Sequence, residues 1–118
     1  MRSFSSSALD CGGAVLAPGL IDLRVKTGEP GSETKETLAS AARAAAAGGV
    51  TTFVVQPDTD PVIDDPSVAD FILRRARDVD LARIFPAGAG TKGLGGERMA
   101  EIGLMQEAGC VYFTDGDK

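Results

Sequence analysis

Two cations placed two residues apart, Arg24 and Lys26, stand at and just beyond the end of an apolar run, LIDLRV. On a strand such residues share a face, so both charges point the same way and call for counter-ions. Asp22 falls on that face by the same count. Asp58 and Asp115 follow other apolar runs and can reach it from neighbouring strand ends. The chemistry this pattern supports is a salt-bridge cluster. Neither cation can ligate a metal, because arginine keeps its proton at any ordinary pH and lysine does so unless strongly perturbed. The chain contains no histidine.

The remaining candidates are weaker. Lys92 sits in the glycine-rich run GAGTKGLGG. The order of a phosphate-binding loop is missing there, and a βα connection with glycines at positive φ is the plainer reading. Asp115 is a single carboxylate, whereas a zinc site takes three or four protein ligands. Cys11 and Cys110 lie far apart and match no metal or redox spacing. They read as reduced thiols, with a disulfide only if the fold brings them together.

The elements that must position these residues alternate. The sequence predicts a short strand over 14–16 and strands over 20–25, 50–55, 81–87 and 110–113. Between them it predicts a helix capped by Ser32 or Thr34 and ending near Ala47, a second capped by Asp65 with Pro66 in its first turn, and a third over 98–108. Such alternation argues for an α/β fold with a parallel sheet. The long loops follow the strands, which is the ligand-binding side of such sheets. The run QPDTDP over 56–61 reads as a turn closing one of those loops.

Composition sets outer limits. The chain has 118 residues, 43% of them hydrophobic and 25% charged, which suits one globular domain. A net charge of -5 argues against nucleic acid or an anionic membrane as partner. No apolar run approaches the ~20 residues of a membrane span, and the polar opening MRSFSSS has no secretion-signal core. A cytoplasmic protein is expected.

Four stretches, in order, resemble dihydroorotase and its cyclic-amidohydrolase relatives. Residues 19–31, GLIDLRVKTGEPG, match the end of that family's first barrel strand, Gly-x-x-Asp-x-His-x-His-x-Arg-Glu-Pro-Gly. Residues 56–61 resemble Met-Pro-Asn-Thr-x-Pro, residues 91–96 resemble Thr-Lys-Gly-Leu-x-Gly, and residues 113–117 resemble Phe-Ser/Thr-Asp-Asp-Gly. The resemblance implies a (β/α) barrel that hydrolyses cyclic amides in pyrimidine biosynthesis with bound zinc. It places Arg24 and Lys26 where metal-ligating histidines belong and Gly28 where an arginine would grip the substrate carboxylate. Asp58 stands where an asparagine would donate to substrate, and an ionised carboxylate only accepts. Asp115 is the one candidate metal ligand left. The chain therefore reads as a hydrolase scaffold that is catalytically silent, with no cofactor expected. The alternative is a structural partner of aspartate transcarbamoylase. Residues 1–17 read as a disordered start with a remnant of the family's small β domain, and residues 18–118 as the first half of its barrel, with four strands and three helices. Half a barrel leaves open sheet edges, so self-association through an edge or apolar face is expected.

Overall fold

The computed structural model describes residues 7–117. Residues 1–6, most of the stretch expected to be frayed, lie outside it. Three strands, β1 (Leu20–Val25), β2 (Val50–Val55) and β3 (Arg83–Pro86), form a parallel sheet in the order β1-β2-β3. Helices α1 (Leu38–Ala47) and α2 (Pro66–Arg77) make the two crossovers, and α3 (Ile102–Ala108) follows β3. The fold is α/β with alternating elements, as the sequence predicts.

The core lies between the sheet and the helices. Phe53, Val55 and Ile84 project from β2 and β3 onto Leu38, Ala41 and Ala42 of α1, Val68, Ala69 and Ile72 of α2, and Met105 of α3. The alanines of α1 let its axis sit close to the sheet. β1 is different. Leu20, Ile21 and Leu23 remain 61–64% exposed, and only Val25 packs against the core. None of the described helices is long and apolar enough to cross a membrane.

The strand expected over 81–87 spans only Arg83–Pro86, and four other expected elements differ more. Residues 110–113 do not form a fourth strand. They run beside β3 with Val111 N donating to Pro86 O, Gly88 N to Tyr112 O and Thr114 N to Gly88 O, but only the Gly88–Phe113 bridge closes. Pro86 has no amide hydrogen, so the ladder cannot extend back through it. Residues 14–16 form no strand, and Val15 and Leu16 stand exposed without a pairing partner. The first helix begins at Leu38, not near Thr34. Thr37 caps it through a reciprocal pair with Ser40, and residues 28–36 close instead into turns through Ser32 N to Gly28 O and Lys35 N to Ser32 O. The third helix begins at Ile102 because residues 98–100 are drawn back onto the glycine-rich loop. There Lys92 N donates to Arg98 O and Ala100 N to Gly90 O.

Candidate functional site

The C-terminal end of β1 is built around a break in register. Strand pairing to β2 shifts between Asp22 and Val25, and the Asp22 carboxylate accepts the Arg24 amide at 2.9 Å. An aspartate that bonds its own backbone in this way competes with the ladder and favours a bulge. Asp22 is thus spent on the backbone and is not a counter-ion to the cations beside it. The Leu23 carbonyl accepts the Tyr112 hydroxyl, and the same hydroxyl accepts from the buried Gln56 amide. Tyr112, from the segment after α3, therefore holds β1 just before its two cations.

Arg24 and Lys26 then meet carboxylates from two other loops. Lys26 Nζ lies 3.0 Å from Asp58 Oδ2 and 2.9 Å from Asp117 Oδ2. Arg24 pairs with the other oxygen of Asp117. The bond to Asp117, followed by that to Asp58, raises the Lys26 pKa. Lys26 and Arg24 hold Asp117 below the usual carboxylate range. All four side chains are more than a third exposed, so water and salt screen these pairs.

The Glu-Pro-Gly motif has a structural occupation. Glu29 is 3% exposed. One of its oxygens accepts the Leu38 amide at 2.8 Å, and the other accepts Arg75 Nε of α2 at 2.7 Å. It ties the β1 loop to the start of α1 and to α2, and its bond lifts the Arg75 pKa. Pro30 O accepts the Asp60 amide, and Gly31, at φ +102°, lies so close that a Cβ there would sit 2.2 Å from Asp60 O. Only glycine fits. At Gly28 a Cβ would come within 2.2 Å of Ser32 O. The position that the resemblance assigns to a substrate-gripping arginine has no room for a side chain in this loop.

Asp115 stands apart from the cations. Its oxygens accept the Thr91 amide at 2.9 Å and the Thr91 hydroxyl at 2.8 Å, and those bonds hold it below the usual carboxylate range. Asp64 accepts the Gly93 amide, and Lys92 Nζ donates to the Asp64 carbonyl. The strand-end loops are therefore stitched in a circuit: Lys26 to Asp58, Asp64 to the glycine-rich loop, Thr91 to Asp115, and Asp117 back to Arg24 and Lys26. A groove of about 460 Å³ beside Lys26 is lined by Thr27, Gly28, Ser32, Lys35, Glu36 and Asp58.

The structure thus brings Arg24, Lys26 and Asp58 together, sets Gly28 on the groove wall and ties Asp115 elsewhere. Sequence reasoning missed Asp117, Tyr112, Gln56 and Arg75. Their partners are dozens of residues distant, and no local spacing marks them. The zinc that the resemblance implies does not fit these residues. Two of the positions carry permanent protons, the nearby carboxylates already neutralise those cations, and Asp115 has both oxygens on Thr91. Among the described residues no three Asp, Glu, Cys or His side chains are grouped to hold an ion.

Comparison with known proteins agrees with the motif order. Residues 13–117 match the family model described as dihydro-orotase-like. The chain is 46% identical over 111 residues to the dihydroorotase of Geobacter sp. (strain M21), covering 94% of this chain and 26% of that protein. It is 47% identical over 112 residues to a dihydroorotase-like protein of Pseudomonas aeruginosa, covering 95% and 26%. With the dihydroorotase of Syntrophotalea carbinolica it shares 44% over 115 residues, covering 98% and 27%. The chain spans about a quarter of the length of the curated relatives it matches. By this match and by its motifs, the chain belongs to the dihydroorotase-like family.

Proposed function

We propose that this chain carries the scaffold of a cyclic amidohydrolase without its hydrolytic chemistry, and that its parallel βα units are those of a (β/α) barrel. The observation that carries this reading is the shared grip of Arg24 and Lys26 on Asp117, with Lys26 also on Asp58. Hydrolysis in this family needs a metal that lowers the pKa of a bound water. At the end of β1 the side chains that would hold that metal are cations already neutralised by neighbours. The substrate side is altered in the same sense, because Gly28 offers no guanidinium and Asp58 offers only acceptors to an anionic substrate. The test is metal analysis of the purified protein together with an assay for hydrolysis of dihydroorotate. Substoichiometric zinc and no turnover are expected; one zinc per chain with turnover would overturn the reading.

A second reading follows from one observation. Leu20, Ile21 and Leu23 expose their side chains on an edge strand, and an apolar strand left open in this way favours association. It supports a structural role, with aspartate transcarbamoylase as the partner the family resemblance implies or with a second copy of the chain. Co-purification with the transcarbamoylase and light scattering across a concentration series separate those two. A clean monomer that captures nothing counts against both.

A further inference from the structure

We propose that Arg24 and Lys26 form a binding site for a small carboxylate anion, and that the Asp117 carboxylate occupies this site from within the chain. The seated group shows the recognition. One oxygen of Asp117 is taken by an Arg24 Nη and the other by Lys26 Nζ at 2.9 Å, a two-point grip on a planar carboxylate. The β1 backbone that presents both cations is fixed by the Asp22 bond to the Arg24 amide and by Tyr112 on Leu23 O. The site opens at the C-terminal ends of parallel strands, where α/β folds bind ligands.

Charge selects the ligand. Arg24 and Lys26 supply two positive charges, and Asp58 and Asp117 supply two negative ones. When Asp117 leaves, the two cations face Asp58 and, on the Arg24 amide, Asp22, so no net positive charge remains to hold a dianion. Lys35 lines the adjoining groove, but Glu36 lines it too and offsets it. The balance suits a singly charged carboxylate over a phosphate dianion.

Asp117 is 60% exposed and follows Gly116, so its departure breaks no core packing. An exposed ion pair of this kind closes with an equilibrium constant of about one to five. Removing it should tighten apparent affinity for an external anion by about twofold to sixfold, since less of the site is self-occupied.

The inference rests on the reading that these positions no longer ligate a metal, and the experiment separates the two. Acetate is titrated into the protein in the presence of a chelator, followed by NMR shifts of the Arg24 and Lys26 side chains, with inorganic phosphate as comparator. Asp117→Asn is expected to tighten acetate by that factor. Arg24→Gln and, separately, Lys26→Gln should abolish saturation in the Asp117→Asn background, with unchanged backbone spectra elsewhere. An Asp117→Asn protein that binds acetate no better than the parent, or that prefers phosphate, overturns the carboxylate site. Zinc uptake without chelator would instead overturn the proposed function, whatever the titration shows.

Discussion

Removing the Glu29 carboxylate tests whether the Glu-Pro-Gly motif is held for folding. Glu29 is the main buried charge of the strand-end loops, with a side chain 4% exposed, and it serves the Leu38 amide and Arg75 Nε together. In Glu29→Ala the Leu38 amide, on a residue that is 1% exposed, loses its acceptor. A buried donor left unsatisfied costs about 1–3 kcal/mol, and the lost methylene adds about 0.8 kcal/mol. Arg75 is counted at nothing, because its side chain is 48% exposed and can turn to water. Relief from burying a carboxylate offsets part of the sum. The net expected loss is about 2–3 kcal/mol, a large share of the 5–15 kcal/mol of a typical domain. Glu29→Gln keeps the shape and an acceptor for Leu38, and should cost about 1 kcal/mol. Urea unfolding followed by far-ultraviolet circular dichroism reads both, provided the slope stays constant. A Glu29→Ala loss under about 0.5 kcal/mol would refute the capping argument, since it lies within the range of ordinary surface changes. Equal losses for Ala and Gln would refute it too, because the charge and not the acceptor would then be what matters.

Other expected outcomes concern acid, thiols and one turn. Asp115 has a folded pKa below its unfolded one because of Thr91, so it favours the native state above about pH 4 and that contribution is lost as pH falls through the folded value. Thermal melts between neutral and acid pH should show a shallower acid decline for Asp115→Asn, and an unchanged decline would count against the bond. Cys11 is exposed, whereas Cys110 is buried and its thiol is pushed up to about 11 by desolvation. Ellman's reagent should therefore label one thiol quickly in the native protein and the second only in denaturant; two fast thiols would contradict this burial. Gly31→Ala forces a Cβ to within 2.2 Å of Asp60 O at φ +102° and should cost more than about 2 kcal/mol, again read by urea unfolding. A neutral outcome would mean that the two loops do not meet as described.

Some of this was legible in the chain and some was not, for physical reasons. β1 and β2 appear with the bounds that their branched apolar runs predict, and Asp65-Pro66 opens α2 as its capping chemistry requires. Those signals are local. The start of α1 lies later than Ser32 or Thr34 because the acceptors that set it are Thr37 and the distant Glu29. The same holds at the site. Arg24 and Lys26 share a face by simple alternation, but their main partner is Asp117, 91 positions from Lys26. Asp22 had the right spacing and the wrong destination, since its short side chain reached the Arg24 amide first. A missing amide at Pro86, a single-residue effect, left residues 110–113 unassembled as a strand.

Residues that keep the family pattern have structural occupations, as do Gly28 and Gln56, which depart from it, whereas three other departures do not. Glu29 caps a helix, Gly31 admits a neighbouring loop, Thr59 is buried and donates to Pro61 O at 2.8 Å, and Thr91 holds Asp115. Lys92 donates to Asp64 O, and Leu94 is buried. Each has packing or backbone work that a substitution would disturb whether or not any substrate is turned over. Arg24, Lys26 and Asp58 have side chains exposed at the strand ends, where Arg24 pairs with Asp117 and Lys26 with Asp117 and Asp58. A motif match of this kind is therefore evidence of a shared fold and says little about shared chemistry. At the positions of Arg24 and Lys26 the strand ends are drawn together by carboxylates from two loops, Asp58 and Asp117. The Asp117 grip is the part of that arrangement that an external anion can enter, because among the described residues it alone joins two cations to a single exposed group.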